Sequence, residues 1–108
     1  MSIKAEYISM ILYDLPTKKK EDLKIYRKFR KLLLVNGYYK LQESVYFKRF
    51  KEKQQAKSSM KLIKDNRPSK GDVRGIILTS KVFKSMECIV GNFKVEEKLL
   101  LGEKIIEI

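Results

Sequence analysis

Histidine and tryptophan are absent from these 108 residues, cysteine occurs once and proline twice. Each shortage removes a class of function. Without imidazole, proton transfer falls to a carboxylate, lysine, tyrosine or water, and a bound metal must be one that takes oxygen ligands, such as Mg²⁺ or Mn²⁺. The lone Cys88 excludes an internal disulfide, and a zinc site needs several Cys or His ligands. No apolar run approaches the roughly 18 residues that cross a bilayer. The first such run follows Lys4 and Glu6 without a small-residue cleavage site, so no signal peptide is read. The expectation is a cytoplasmic protein of one domain over residues 1–108, with a single modest core and no membrane partner.

Negative charge is scarce as well. Twenty-five Lys and Arg stand against thirteen Asp and Glu, a net +12. From Lys18 to Arg74 there are nineteen basic side chains and six acids, whereas the remainder carries six and seven. Such clustering points to a polyanion surface, for nucleic acid before a membrane, since no strongly amphipathic terminal helix is present. A merely solvated basic coat is the plain alternative.

What the chain does have is a series of short apolar runs. Tyr7–Asp14 is nearly continuous and rich in Ile and Tyr, as in a strand covered on both faces. Leu15-Pro16 ends it, because proline lacks an N–H and biases the preceding residue away from helical angles. Asp14 therefore stands at a strand end, suited either to metal chemistry or to accepting turn N–H groups. It is the one acid read at such a strand end. Thr17 is a candidate cap for a helix running to Asn36-Gly37, with Glu21 and Asp22 in its first turn. Tyr26, Phe29 and Leu33, flanked by Leu23, Ile25 and Leu32, recur at helical spacing and make its buried face. Lys20, Lys24, Lys28 and Lys31 fall opposite, with Arg27 beside them and Arg30 on the flank.

Tyr38–Gln42 and Glu43–Phe50 are dense in aromatic and β-branched residues, and read as one bent strand or a tight pair broken at Gln42, Glu43 and Ser44. Ala56, Met60 and Ile63 give a thin helical stripe within residues 52–66, ended by Asn66-Arg67-Pro68-Ser69. Asp72–Thr79 has the character of a covered central strand, in which Gly75 marks a bulge or a close backbone approach. A single helical turn is expected at Lys81–Met86, capped by Thr79 or Ser80, and Lys104–Ile108 reads as a terminal strand. Cys88 and the methionines read as core. This order, with right-handed crossovers, predicts an α+β fold of the ferredoxin-like split βαβ kind (β-α-β-β-α-β), with an extra C-terminal strand. The open face of such a sheet must be covered, and a second copy forming a homodimer is the economical answer.

Met10-Ile11-Leu12-Tyr13-Asp14-Leu15-Pro16, the basic helix Tyr26-Arg27-Lys28-Phe29-Arg30-Lys31 ending in Asn36-Gly37, and Gln42-Glu43-Ser44-Val45-Tyr46 together resemble the second CRISPR-associated protein family (Cas-two). Val73-Arg74 and Met86-Glu87-Cys88-Ile89-Val90-Gly91 extend the resemblance over most of the chain. Asp-Leu-Pro-Thr and Gln-Glu-Ser-Val-Tyr look most like members from type II systems. The resemblance implies a homodimer of the spacer-acquisition complex that bridges integrase (Cas-one) dimers and holds duplex DNA through its phosphates. It also implies a metal-dependent endonuclease acting on RNA or DNA. Asp14 matches the family's aspartate, as catalytic and metal-binding residue, with one Mg²⁺ or Mn²⁺ shared between the two protomers. Lys18, Lys19, Lys20, Lys24, Arg27, Lys28, Arg30 and Lys31 are the expected phosphate contacts, and residues 92–108 are expected to contact the partner protomer. Gln42 and Ser44 read as structural supports, Ser44 with a possible part in orienting a phosphate or water, and Tyr46 is expected to pack near the dimer axis. The rival readings are an RNA-binding module stacking bases on exposed Tyr39, Tyr46 or Phe47, and a toxin-like messenger-RNA interferase of the same small fold.

Overall fold

The computed structural model describes residues 6–91. Seven elements follow in order: β1 (Tyr7–Asp14), α1 (Lys20–Val35), β2 (Tyr39–Gln42), β3 (Val45–Phe50), α2 (Lys53–Asp65), β4 (Asp72–Thr79) and the short α3 (Ser80–Lys84). The four strands form one antiparallel sheet in the order β2-β3-β1-β4. Each long helix therefore connects two parallel strands that have a third, antiparallel strand between them. This is the split βαβ arrangement that the order of apolar runs predicted. The terminal strand expected at Lys104–Ile108 lies outside the described residues.

The pleat of β1 divides the core in two. On one face Ile11 and Tyr13 pack with Leu15 against Phe29 and Leu33 of α1, Ile63 of α2, and Tyr38 and Tyr46. Ser9, on the same face, is buried yet satisfied by a hydrogen bond to the Tyr38 hydroxyl, which in turn bonds Ser59 of α2 at 2.9 Å. On the other face Ile8 and Met10 meet Phe47 of β3 and Phe83 of α3. Both long helices thus cover the first face, and among the described residues α3 alone crosses the second.

Several local expectations change. Asp22, not Thr17, organises the start of α1. Its carboxylate accepts the Lys19 N–H at 3.2 Å, while Thr17 lies before the helix, ahead of the N-cap residue Lys19. The aromatic run resolves into a tight pair: Glu43-Ser44 makes the turn, Ser44 has φ 62°, and the register slips between Lys40 and Gln42. Among the described residues β4 is an edge strand, not a central one, and most of its side chains are exposed. Its apolar residues are divided between the two faces, Val73 against the helix-side core and Leu78 against the cluster of Ile8, Met10, Phe47 and Phe83. Gly75 marks no bulge; α2 lies so close that a β-carbon there would meet the Met60 side chain. Cys88 and Met86 are exposed, since they follow α3, beyond the last described strand.

Candidate functional site

Asp14 owes its position to strand alternation. Ser9, Ile11 and Tyr13 point toward the helices, so Ile8, Met10, Leu12 and Asp14 point the other way. The sheet face they share is unevenly covered. Phe83 of α3 lies over the end near Ile8, at the start of β1, and among the described residues nothing covers the Asp14 end. Here Leu12 is 37% exposed, Ile76 of β4 48% and Tyr39 of β2 48%, an apolar strip leading toward the carboxylate.

Register supplies a second acid. In the antiparallel pairing of β1 with β4, Asp14 stands directly opposite Asp72, and Leu12 opposite Arg74. Residues so opposed project from the same face with β-carbons about 4.5–5.5 Å apart. Both aspartates are exposed. The approach of the two strand ends is tight at Gly71, whose φ is +86° and where a β-carbon would sit 2.7 Å from the Asp14 carbonyl oxygen. Only glycine suits both the conformation and the space. The expectation of a single acid at this strand end is therefore corrected. Pairing of residues 58 positions apart carries no local sequence signal, and only the sheet register brings Asp72 into place.

The donor set fits a hard cation. Among the described residues no cluster of three or more His, Cys, Asp or Glu is present, and these two carboxylates are what they offer at this strand end. Mg²⁺ is bound in this way, through one or two carboxylates with water and phosphate oxygens completing its shell.

Of the expected supports, Ser44 serves the backbone: its carbonyl accepts the Tyr13 N–H at 3.0 Å, which ties the β2–β3 turn to the residue before Asp14. Gln42 is exposed at the end of β2. Tyr46 packs, but on the helix-covered face, stacked on Tyr13 with ring centroids 6.0 Å apart, rather than on the open face. Its register partner Ile11 dictates that side. Tyr13 carries the one unsatisfied buried side-chain atom among the described residues, its hydroxyl, and burial together with the neighbouring Tyr46 and Tyr26 phenols pushes its pKa well up.

The expected phosphate contacts lie elsewhere. Lys18, Lys19, Lys20, Lys24, Arg27, Lys28, Arg30 and Lys31 are all exposed, and among the described residues none forms an ion pair. Other cations are engaged: Lys40 with Glu43, Arg49 with Glu6, Lys61 with Asp65, and Lys70 with Asp22. Burial of Asp22 acts to raise its pKa, but the Lys19 N–H and the Lys70 ammonium outweigh this and hold it below the usual carboxylate range. Because Phe29 and Leu33 face the sheet, the α1 cations lie on the outer side of the helix layer. The structure thus puts the helical cations and Asp14 on opposite sides of the sheet. Of the expected contacts only Lys18 and Lys19, in the segment leaving β1, and Lys20, at the start of α1, follow Asp14 closely. Lys28 and Lys31 also line a groove of about 480 Å³ with Arg67, over a floor that includes Phe29 and Leu32.

The aromatics required for base stacking are mostly hidden. Tyr39 is half exposed, but Tyr46 and Phe47 are 2% and 1% exposed. No helix among the described residues is long and apolar enough to cross a membrane.

Comparison with known proteins places the chain in a family. A family profile described as CRISPR associated protein Cas2 matches residues 7–86. The chain is 40% identical to a protein of Campylobacter jejuni named CRISPR-associated endoribonuclease Cas2, over 83% of this chain and 63% of that one, so a little under two thirds of that relative is spanned. Proteins of the same name from Ligilactobacillus salivarius and Acidovorax ebreus are 39% and 37% identical, over 90% and 89% of this chain and 95% and 94% of theirs. With the profile covering both strand ends of the Asp14 site and all of α1, the chain belongs to the CRISPR-associated Cas2 family.

Proposed function

We propose that this chain acts as a homodimeric subunit of the CRISPR spacer-acquisition complex, gripping duplex DNA by its phosphates and bridging integrase dimers. We propose with it a metal-dependent phosphodiester hydrolysis at Asp14, on RNA or DNA. The observation that carries the reading is the position of Asp14 at the open end of a sheet face whose Leu12, Ile76 and Tyr39 remain substantially exposed. A second copy laid face to face on this strip covers it. Completing the burial of these side chains contributes roughly 1 kcal/mol each, or about 6 kcal/mol for two copies. In such a dimer the two Asp14 residues converge near the two-fold axis.

Asp14 would hold Mg²⁺ or Mn²⁺, which when bound polarises a phosphate and lowers the pKa of an attacking water. The chain's own residues supply the remainder. Phosphates along the duplex are neutralised by the α1 cations, at a distance from the carboxylate, and by Lys18 and Lys19 nearer to it. Holding and hydrolysing are therefore separable functions of one molecule. That separation supports a holding role that does not require the aspartate, while the names of the relatives support the hydrolytic one. Base stacking on the sheet is the weaker reading, given the burial of Tyr46 and Phe47.

The test is Asp14→Ala in the full chain, assayed with Mn²⁺ on single-stranded RNA and on duplex DNA. Cleavage should disappear, while sedimentation still shows a dimer and duplex binding is unchanged. Cleavage that survives would refute hydrolysis at Asp14. A wild-type monomer at micromolar concentration would refute the face-to-face dimer.

A further inference from the structure

We infer that the groove between the C-terminal half of α1 and the loop from α2 to β4 docks an acidic amphipathic helix of a partner protein, with aliphatic side chains on its buried face. The groove lies on the helix side of the sheet, away from Asp14, and its volume is about 480 Å³. Clefts of roughly 300–1,000 Å³ are the size in which proteins hold ligands.

The lining selects the occupant. Ile25, Leu32 and Val35 recur at helical spacing along one side of α1 and form an aliphatic stripe in the groove. The core beneath does not finish covering them: Ile25 and Leu32 are partly buried, and Val35 is 74% exposed. A contiguous apolar strip left in water and rimmed by polar groups marks an interaction surface. The rim here has one sign. Lys28, Lys31 and Arg67 border the groove and no acid does. Among the described residues none of the three forms an ion pair, and Arg67 is held in place by donating to the Lys64 carbonyl at 3.1 Å. Cations around an aliphatic floor complement carboxylates around an aliphatic stripe, the pattern of a helix laid in a groove. Duplex DNA matches the rim alone, because its outward phosphates leave the floor unfilled. Unstacked bases favour open aromatic faces, and Phe29 in this groove is 2% exposed. Since Lys28 and Lys31 are also expected phosphate contacts, the helix and a duplex compete for this end of α1.

The probe is a fluorescein-labelled helical peptide of about 14 residues with Leu on one face and Glu on the other. A second peptide carries Ser for every Leu and keeps the charge. Anisotropy measures binding of each to the full chain at about 150 mM salt, and amide chemical shifts locate it. The Leu peptide should bind at least about tenfold tighter than the Ser peptide and shift Leu32, Val35 and Arg67. Val35→Ser, at an exposed position that spares the core, should weaken the Leu peptide about threefold or more and leave duplex affinity unchanged. Arg67→Gln should weaken it too and flatten its salt dependence. Equal binding of the two peptides would make the groove part of the general polyanion surface and overturn the inference. No saturable binding of the Leu peptide at about 1 mM would overturn it as well. If Val35→Ser weakens single-stranded RNA and not the peptide, the groove belongs to nucleic acid and the inference fails. None of these outcomes bears on Asp14, whose substitution is assayed separately.

Discussion

Replacing Lys20, Lys24, Arg27 and Lys31 together by Gln removes four exposed cations from the outer side of α1 and leaves Phe29 and Leu33 in place beneath it. Gln is a good helix former, so the fold should survive. Each phosphate that is no longer neutralised flattens the dependence of log affinity on log salt by about 0.9 for duplex DNA. Four such phosphates amount to a slope change of about 3.6, and about 7 if both protomers of a dimer grip one duplex. Between 50 and 200 mM salt, the smaller figure means that wild-type affinity falls about 10²-fold further than that of the variant. Fluorescence anisotropy on a labelled duplex across that range measures both slopes. Lys81→Gln with Lys84→Gln, on exposed positions of α3, is the control and should leave the slope nearly unchanged. A quadruple variant with the wild-type slope would refute the placement of phosphates on α1. An α3 control whose slope flattens instead would move the binding surface to the other side of the sheet.

Two further outcomes follow from buried polar groups. Tyr13→Phe removes a hydroxyl that has no partner, and should raise the urea midpoint by the equivalent of about 1 kcal/mol at neutral pH. Since burial raises the folded phenol above its ordinary value of 10.0, wild type should also lose stability as pH climbs past 10, a loss that the Phe variant does not share. A less stable Tyr13→Phe would show that the hydroxyl is satisfied after all. Asp22 behaves in the opposite sense: its folded pKa is depressed below 3.8, so as pH falls the unfolded chain takes up the proton first. The stability it supplies is present above about pH 4 and lost below it, so Asp22→Asn should flatten the acid limb of a stability–pH curve and Lys70→Met should flatten it in part.

The fold was legible because its signals are local. Pro16 stops β1, Gly37 stops α1, and the two amphipathic stripes, with Phe29 and Leu33 on one and Ala56 and Ile63 on the other, need only neighbouring residues to be read. Charge clustering is likewise additive along the chain, and the cations of α1 emerge exposed and unpaired among the described residues as expected. Asp14 was legible as a strand-end carboxylate, though the chemistry proposed for it came from resemblance and not from the strand itself. What misled was burial. The apolar composition of Asp72–Thr79 implies cover on both faces, yet among the described residues the strand lies at an edge with Ile76 half exposed. Tyr46 could not be assigned to a face before its pairing with Ile11 was known.

Element type, order and net charge thus follow from the sequence by itself, since each depends on spacings of a few residues or on a simple sum. The separation of Asp14 from the basic helix, the opening of one end of the sheet beyond Phe83, and the meeting of Asp14 with Asp72 belong to the tertiary structure alone. A one-residue slip of β4 against β1 would turn Asp72 to the opposite face while changing no local propensity. Register is settled by the packing of whole faces, and the second carboxylate depends on it.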